Sequence, residues 1–240
     1  MIMKLKFFIL VVPLISISLF GKHVILDSSK VFDHWETKIL EDIWVGTNLH
    51  IRHVQITNAK WCKNGSKDEF IEISGPINED VPIILEKLLV KISKNNQCIP
   101  KTNVYTDSYP LEVYLNSGGG YLEDGFKLGE IFRKFGVRTK IPKGGICYSS
   151  CATAFLGGIK RYMDKGSQIG FHAPYTFKYA LGNKISCQKE NQDLKVYYDK
   201  MTDDETSKIL YDRTMNYCGI DTGWILNDDA AKIFDIANSS

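Results

Sequence analysis

Residues 111–141 read LEVYLNSGGGYLEDGFKLGEIFRKFGVRTKI. Leu111–Leu115 is a short apolar strand, Gly118–Gly120 a glycine turn, Tyr121–Phe135 an amphipathic helix closed by Gly136, and Val137–Ile141 a second strand. A strand, a helix and a strand in such close succession imply parallel pairing, because a helix is the usual crossover between parallel neighbours. This unit predicts an α/β fold.

The same alternation extends in both directions. Upstream, Glu69–Ser74 alternates like a strand and ends in Gly75-Pro76. Val81–Ile92 follows with apolar residues at helical spacing, and Pro82 lies in the first turn, where a missing N–H costs nothing. Cys98–Pro110 reads as a polar loop. Downstream, a third strand–turn–helix unit begins at Gly144. Beyond Pro174 the character becomes helical: Lys184–Met201 reads as a helix. Thr202-Asp203-Asp204-Glu205 reads as a capping box for a second helix, which stops near Gly219, and Asp228–Asp235 as a last short one. Residues 22–65 read as strands and loops with no assigned place.

Composition narrows the function classes. Hydrophobic residues make up 44% of the 240, enough for one sizeable core. The formal net charge is only +2, which is no electrostatic footprint for nucleic acid. The N-terminus carries Lys4 and Lys6, then the uncharged stretch Phe7–Phe20, then Lys22. A basic segment before an apolar one of this length reads as a secretory signal peptide over residues 1–21, with an uncleaved anchor as the alternative. The stretch is shorter than the roughly 20 residues a membrane-spanning helix needs. Export implies an oxidising compartment, periplasm or cell envelope, where the cysteines Cys62, Cys98, Cys147, Cys151, Cys187 and Cys218 would form disulfides. About 15 pairings are open to six cysteines. With no CxxC pair and no HxxxH, neither a metal site nor a cofactor is expected.

Three segments carry candidate chemistry. In Leu115-Asn116-Ser117-Gly118-Gly119-Gly120, consecutive glycines at a strand end leave backbone N–H groups able to hold a phosphate or an oxyanion. The spacing of a dinucleotide fingerprint or a P-loop is absent. In Cys147-Tyr148-Ser149-Ser150-Cys151, a serine at a strand-to-helix turn is placed either as a nucleophile or as a helix N-cap. In Ile169-Gly170-Phe171-His172-Ala173-Pro174, His172 is placed either as a base or as a core histidine.

Taken in order, Gly75-Pro76-Ile77-Asn78 before an apolar helix, the glycine loop, the serine turn and the strand ending in His-x-Pro resemble the Clp-protease family over residues 66–238. That resemblance implies the crotonase (Clp-protease-like) fold, with stacked, mostly parallel β-α units and C-terminal helices. Residues 66–240 would be the catalytic domain and 22–65 an N-terminal extension. It implies Ser149 as nucleophile, His172 as base, Asp221 as the acid, and the N–H groups of Gly119, Gly120 and Ser150 as an oxyanion hole. Asp212 and Asp228 are competing acids. Gly118 stands where the family has proline, and Cys147 and Cys151 bracket the serine, a pairing that would brace the turn and is closer to the family's periplasmic relatives. The expected activity is a serine peptidase on peptide or protein substrates, independent of ATP because export removes cytosolic unfoldases. Membrane proximity and a homo-oligomer are both compatible with it. The alternatives are a serine–lysine catalyst using Lys143, Lys160 or Lys165, an acyl-CoA crotonase, and a non-catalytic binding module.

Overall fold

The structure is a computed structural model and describes residues 37–56, 69–95, 111–178, 184–218 and 222–239. Its largest sheet has the order β1 (Thr37–Val45), β2 (Leu49–Ile56), β3 (Glu69–Ser74), β4 (Glu112–Asn116), β5 (Arg138–Ile141) and β7 (Lys160–Met163). From β3 to β7 the pairing is parallel, as the strand–helix alternation predicts. The first two strands pair antiparallel, so the described part of the N-terminal extension continues the sheet beyond β3.

Helices α1 (Asp80–Asn95), α2 (Leu122–Phe135) and α3 (Ser150–Phe155) contribute to the core beside the strands. On α1, Val81, Leu85, Leu88, Leu89 and Ile92 are buried, one apolar stripe at three- and four-residue steps. They meet Ile71, Ile73, Val113 and Leu115 in the core. Every residue of α3 is buried. Gly125 of α2 permits that burial, since a Cβ there would lie 2.6 Å from the Ser150 carbonyl oxygen.

A second sheet has the order β11 (Trp224–Asn227), β8 (Gln168–Phe171), β6 (Ile146–Tyr148). The chain leaving β4 crosses onto it. Ser117 pairs with Cys147, and Gly120 in turn pairs with Ile77, just after β3. The start of the glycine loop is therefore bonded directly to the strand that leads into the serine turn.

The C-terminal region departs from the periodicity reading in two places. Lys184–Cys187 is β10, paired antiparallel with β9 (Tyr175–Lys178) as a hairpin, and the helix α4 begins only at Gln192. Asn191 starts that helix by accepting the Leu194 N–H on its side chain. The next helix, α5 (Asp204–Met215), is capped by Asp203, which accepts from Glu205 N and Thr206 N, whereas Thr202 closes α4. The capping residue is thus one position later than Thr202. The final helix α6 spans Asp228–Ile233. No helix among the described residues is long and apolar enough to cross a membrane; residues 1–21 lie outside them.

Candidate active site

Ser149 follows β6 directly and occupies the N-cap position of α3, yet its side chain makes no cap hydrogen bond. Its backbone has φ 56 and ψ −125, a conformation that side-chain-bearing residues rarely adopt. The turn is held by several bonds. Ser149 N donates to Gly170 O at 2.8 Å, Tyr148 N to Ser117 O at 3.0 Å, and Thr153 N to Ser149 O at 3.1 Å. Cys147 and Cys151 are joined by a disulfide across it. Of the two adjacent serines, Ser150 is fully buried with an unpartnered hydroxyl, while Ser149 lines a cleft. The N-cap alternative for Ser149 is therefore not what its hydroxyl does.

That cleft encloses about 320 Å³ and also receives His172 and Gly120. His172 follows β8, the strand parallel to β6, so one hydrogen-bonded pair of strands delivers both side chains to the same place. Its Nδ1 donates to the Ala173 carbonyl at 2.9 Å, since a carbonyl can only accept. That bond leaves Nε2 as the unprotonated nitrogen of the neutral ring, and this atom is buried with no hydrogen-bond partner. Burial pushes the imidazole pKa below its ordinary 6.5, against a smaller opposing effect of the Ala173 bond. A neutral imidazole with an unpartnered nitrogen and an uncapped serine hydroxyl thus line one cleft, the two groups that a proton transfer needs.

The loop glycines divide their roles. Gly119 has φ +97, and a Cβ there would lie 2.7 Å from the Ser149 Cβ and 2.5 Å from the Tyr148 carbonyl oxygen. Its own N–H donates to the buried Ser117 hydroxyl at 3.0 Å. That N–H is engaged by the Ser117 hydroxyl in this structure, and Gly119 allows the close approach of the loop to Ser149. Gly120 lines the cleft. Ser150 N–H lies in the first turn of α3, where backbone donors lack an intrahelical acceptor.

Asp221, Cys62 and Cys98 lie outside the described residues. The neighbours of Asp221 are placed: Cys218 bridges Ala173, and Trp224 pairs with Phe171, so both flank His172. Of the competing acids, Asp212 is exposed on α5, and Asp228 accepts from Gly166 N at 3.1 Å in the β7–β8 turn. Neither lines the cleft, and nor does Lys143, Lys160 or Lys165. Cys187 and Cys218 form a second disulfide, tying β10 to the segment after α5. Among the described residues no cluster of His, Cys, Asp or Glu side chains could hold a metal ion.

Sequence reading missed the cleft walls supplied from afar, namely Leu194 and Tyr198 of α4 and Thr214 of α5. It also missed the Ala173 carbonyl as partner of the imidazole. Position next to His172 was the only available signal for that atom, since any residue there would present the same group.

No family model matches the sequence, and no curated protein matches it. Among solved structures, a mutant of the 1510-N membrane-bound stomatin-specific protease is similar at a TM-score of 0.50 and 13% identity, covering 68% of this chain and 73% of that one. This chain has a Clp-protease-like fold. ClpP1 from Listeria monocytogenes has a TM-score of 0.47 and 18% identity, over 68% of this chain and 85% of that one. The ClpP catalytic domain from Plasmodium falciparum has 0.47 and 17%, over 68% and 79%. At 13% identity the likeness to the stomatin-specific protease structure speaks for the Clp-protease-like fold alone.

Proposed function

We propose that this chain is an exported serine peptidase that cleaves peptide or protein substrates by acyl transfer without an ATP-driven partner. One observation carries the reading: a serine hydroxyl with no capping role and an imidazole with an unpartnered Nε2 line the same cleft. In the acylation step His172 Nε2 takes the Ser149 proton as Oγ attacks the substrate carbonyl carbon. The C=O electron pair moves onto oxygen, and the N–H groups of Gly120 and Ser150 stabilise that oxyanion. Collapse of the tetrahedral species breaks the C–N bond, and the imidazolium returns its proton to the departing amine. Water then repeats the sequence, with His172 again as base, and releases the acid.

The Ala173 carbonyl holds the imidazole in the tautomer this cycle needs. Asp221 is proposed as the acid that stabilises the imidazolium, because its chain neighbours are paired with residues on either side of His172. The apolar N-terminal stretch and the disulfides support export to an oxidising compartment.

The test is hydrolysis of a chromogenic peptide ester by the purified protein. Ser149→Ala and His172→Ala are each expected to reduce turnover by on the order of a thousandfold or more, leaving the fold intact by circular dichroism. Hydrolysis by folded Ser149→Ala at the wild-type rate would remove the proposal.

A further inference from the structure

Cys147 lies in the middle of β6, Cys151 in the first turn of α3, and Ser149 sits midway between them. The disulfide therefore joins a strand to a helix across a residue whose backbone is strained. A strained backbone persists only where its surroundings over-determine it. Cys147 is anchored on both sides, by its pairing with Ser117 and with Ile169 of β8. Cys151 is anchored by the complete burial of α3. Four residue steps could extend to about 13 Å, whereas the bridge holds the two Cα atoms 5.2 Å apart. The chain between them is doubled back, and Ser149 is at the apex.

The second bridge provides a contrast. Cys187–Cys218 closes a sequence separation of 31, Cys147–Cys151 one of only 4. A short closed loop restricts the unfolded chain less, so the smaller bridge does less for the stability of the fold as a whole. Its effect is local, on the turn it spans.

We propose that the Cys147–Cys151 disulfide is a positioning element for the nucleophile: it holds Ser149 in its reactive backbone conformation, and losing it slows the chemistry more than it weakens the fold. The proposal rests on the serine peptidase reading above. It makes activity conditional on oxidation. Two thiols become one disulfide by giving two electrons and two protons to a disulfide-type oxidant, which is left as two thiols. A chain folded among reduced thiols would carry a complete cleft with a slow serine.

The experiment compares wild type with the double variant Cys147→Ala, Cys151→Ala. Three readouts are taken: the rate of labelling by a fluorophosphonate, kcat and KM on a chromogenic peptide ester, and folding by circular dichroism. The expected result is a folded variant whose labelling rate and kcat fall together by about a hundredfold, the scale of a small misplacement of a reacting group, with KM unchanged. Should the variant not fold, the Cys187→Ala, Cys218→Ala variant, which keeps the Cys147–Cys151 bridge and lacks the other, is treated with dithiothreitol and counted for free thiols by mass spectrometry; its rate should fall on reduction and return with oxidised glutathione. A folded, bridge-free protein that labels at the wild-type rate overturns the proposal. Wild type that is not labelled at all removes the peptidase reading and the proposal with it.

Discussion

Ser149 holds φ 56 and ψ −125, a backbone state that costs of the order of 1–3 kcal/mol and must be offset by its neighbours. The offsetting bonds come from Gly170, Ser117 and Thr153. His172 has a different constraint: burial lowers its pKa below 6.5, so it is neutral and able to accept a proton at neutral pH. The acid limb of a kcat/KM–pH profile should therefore have its midpoint below 6.5. A midpoint above about 7 would contradict the depressed pKa of a free-enzyme base. The same group affects stability. The unfolded chain takes up this proton at 6.5 and the folded one only at lower pH, so stability rises with pH through the window just below 6.5 and levels off above it. Urea titrations of wild type and His172→Gln over that window should differ in slope, and identical slopes would count against the shift.

At the scale of elements, what was legible in the sequence followed its periodicity. The stripe Val81, Leu85, Leu88, Ile92 and the alternation in Glu69–Ser74 announce α1 and β3, because α1 and the Ile71–Ile73 face of β3 bury against the same core, while Phe70 on the other face of β3 packs with Val54 and Tyr114. Lys184–Cys187 misleads for a physical reason. A four-residue strand paired only with β9 leaves little pattern, and its placement depends on a hairpin partner and on the Cys187–Cys218 bridge, neither of which is a local property. The capping residue shifts for a similar reason: Thr202 donates its hydroxyl to Tyr198 O and so belongs to the end of α4, leaving Asp203 to begin α5. Ser149 and His172 stood out through spacing and motif order. The Ala173 carbonyl and the walls from α4 and α5 are set by long-range packing, which no short motif encodes. Removal of the Cys187–Cys218 bridge by a double alanine substitution should cost roughly 4 kcal/mol on chain-entropy grounds, against roughly 2 kcal/mol for the shorter bridge. Thermal or urea unfolding of the two variants checks the order, and a smaller loss for the 31-residue separation would contradict it.

Across the whole molecule, two sheets share the work. The large, mostly parallel sheet packs with α1 and α2 in the core, and the smaller sheet, β11-β8-β6, carries Ser149 and His172 at the ends of neighbouring parallel strands. Because Ser117 bridges to Cys147 of β6 while Gly120 bridges to Ile77 after β3, the loop that would bind an oxyanion is fixed at one end to the strand that leads to the nucleophile and at the other to the segment after β3. Export is the molecule-scale expectation that chemistry and redox state share. Cell fractionation should find the chain in the envelope with its cysteines resistant to alkylation; a cytosolic, fully alkylated protein would contradict export and the disulfides together. The central claim, however, concerns one oxygen atom. Mass mapping after reaction with a fluorophosphonate should find a single adduct on Ser149 that His172→Ala slows sharply. An adduct on another residue, or none on a folded and oxidised protein, would contradict the account.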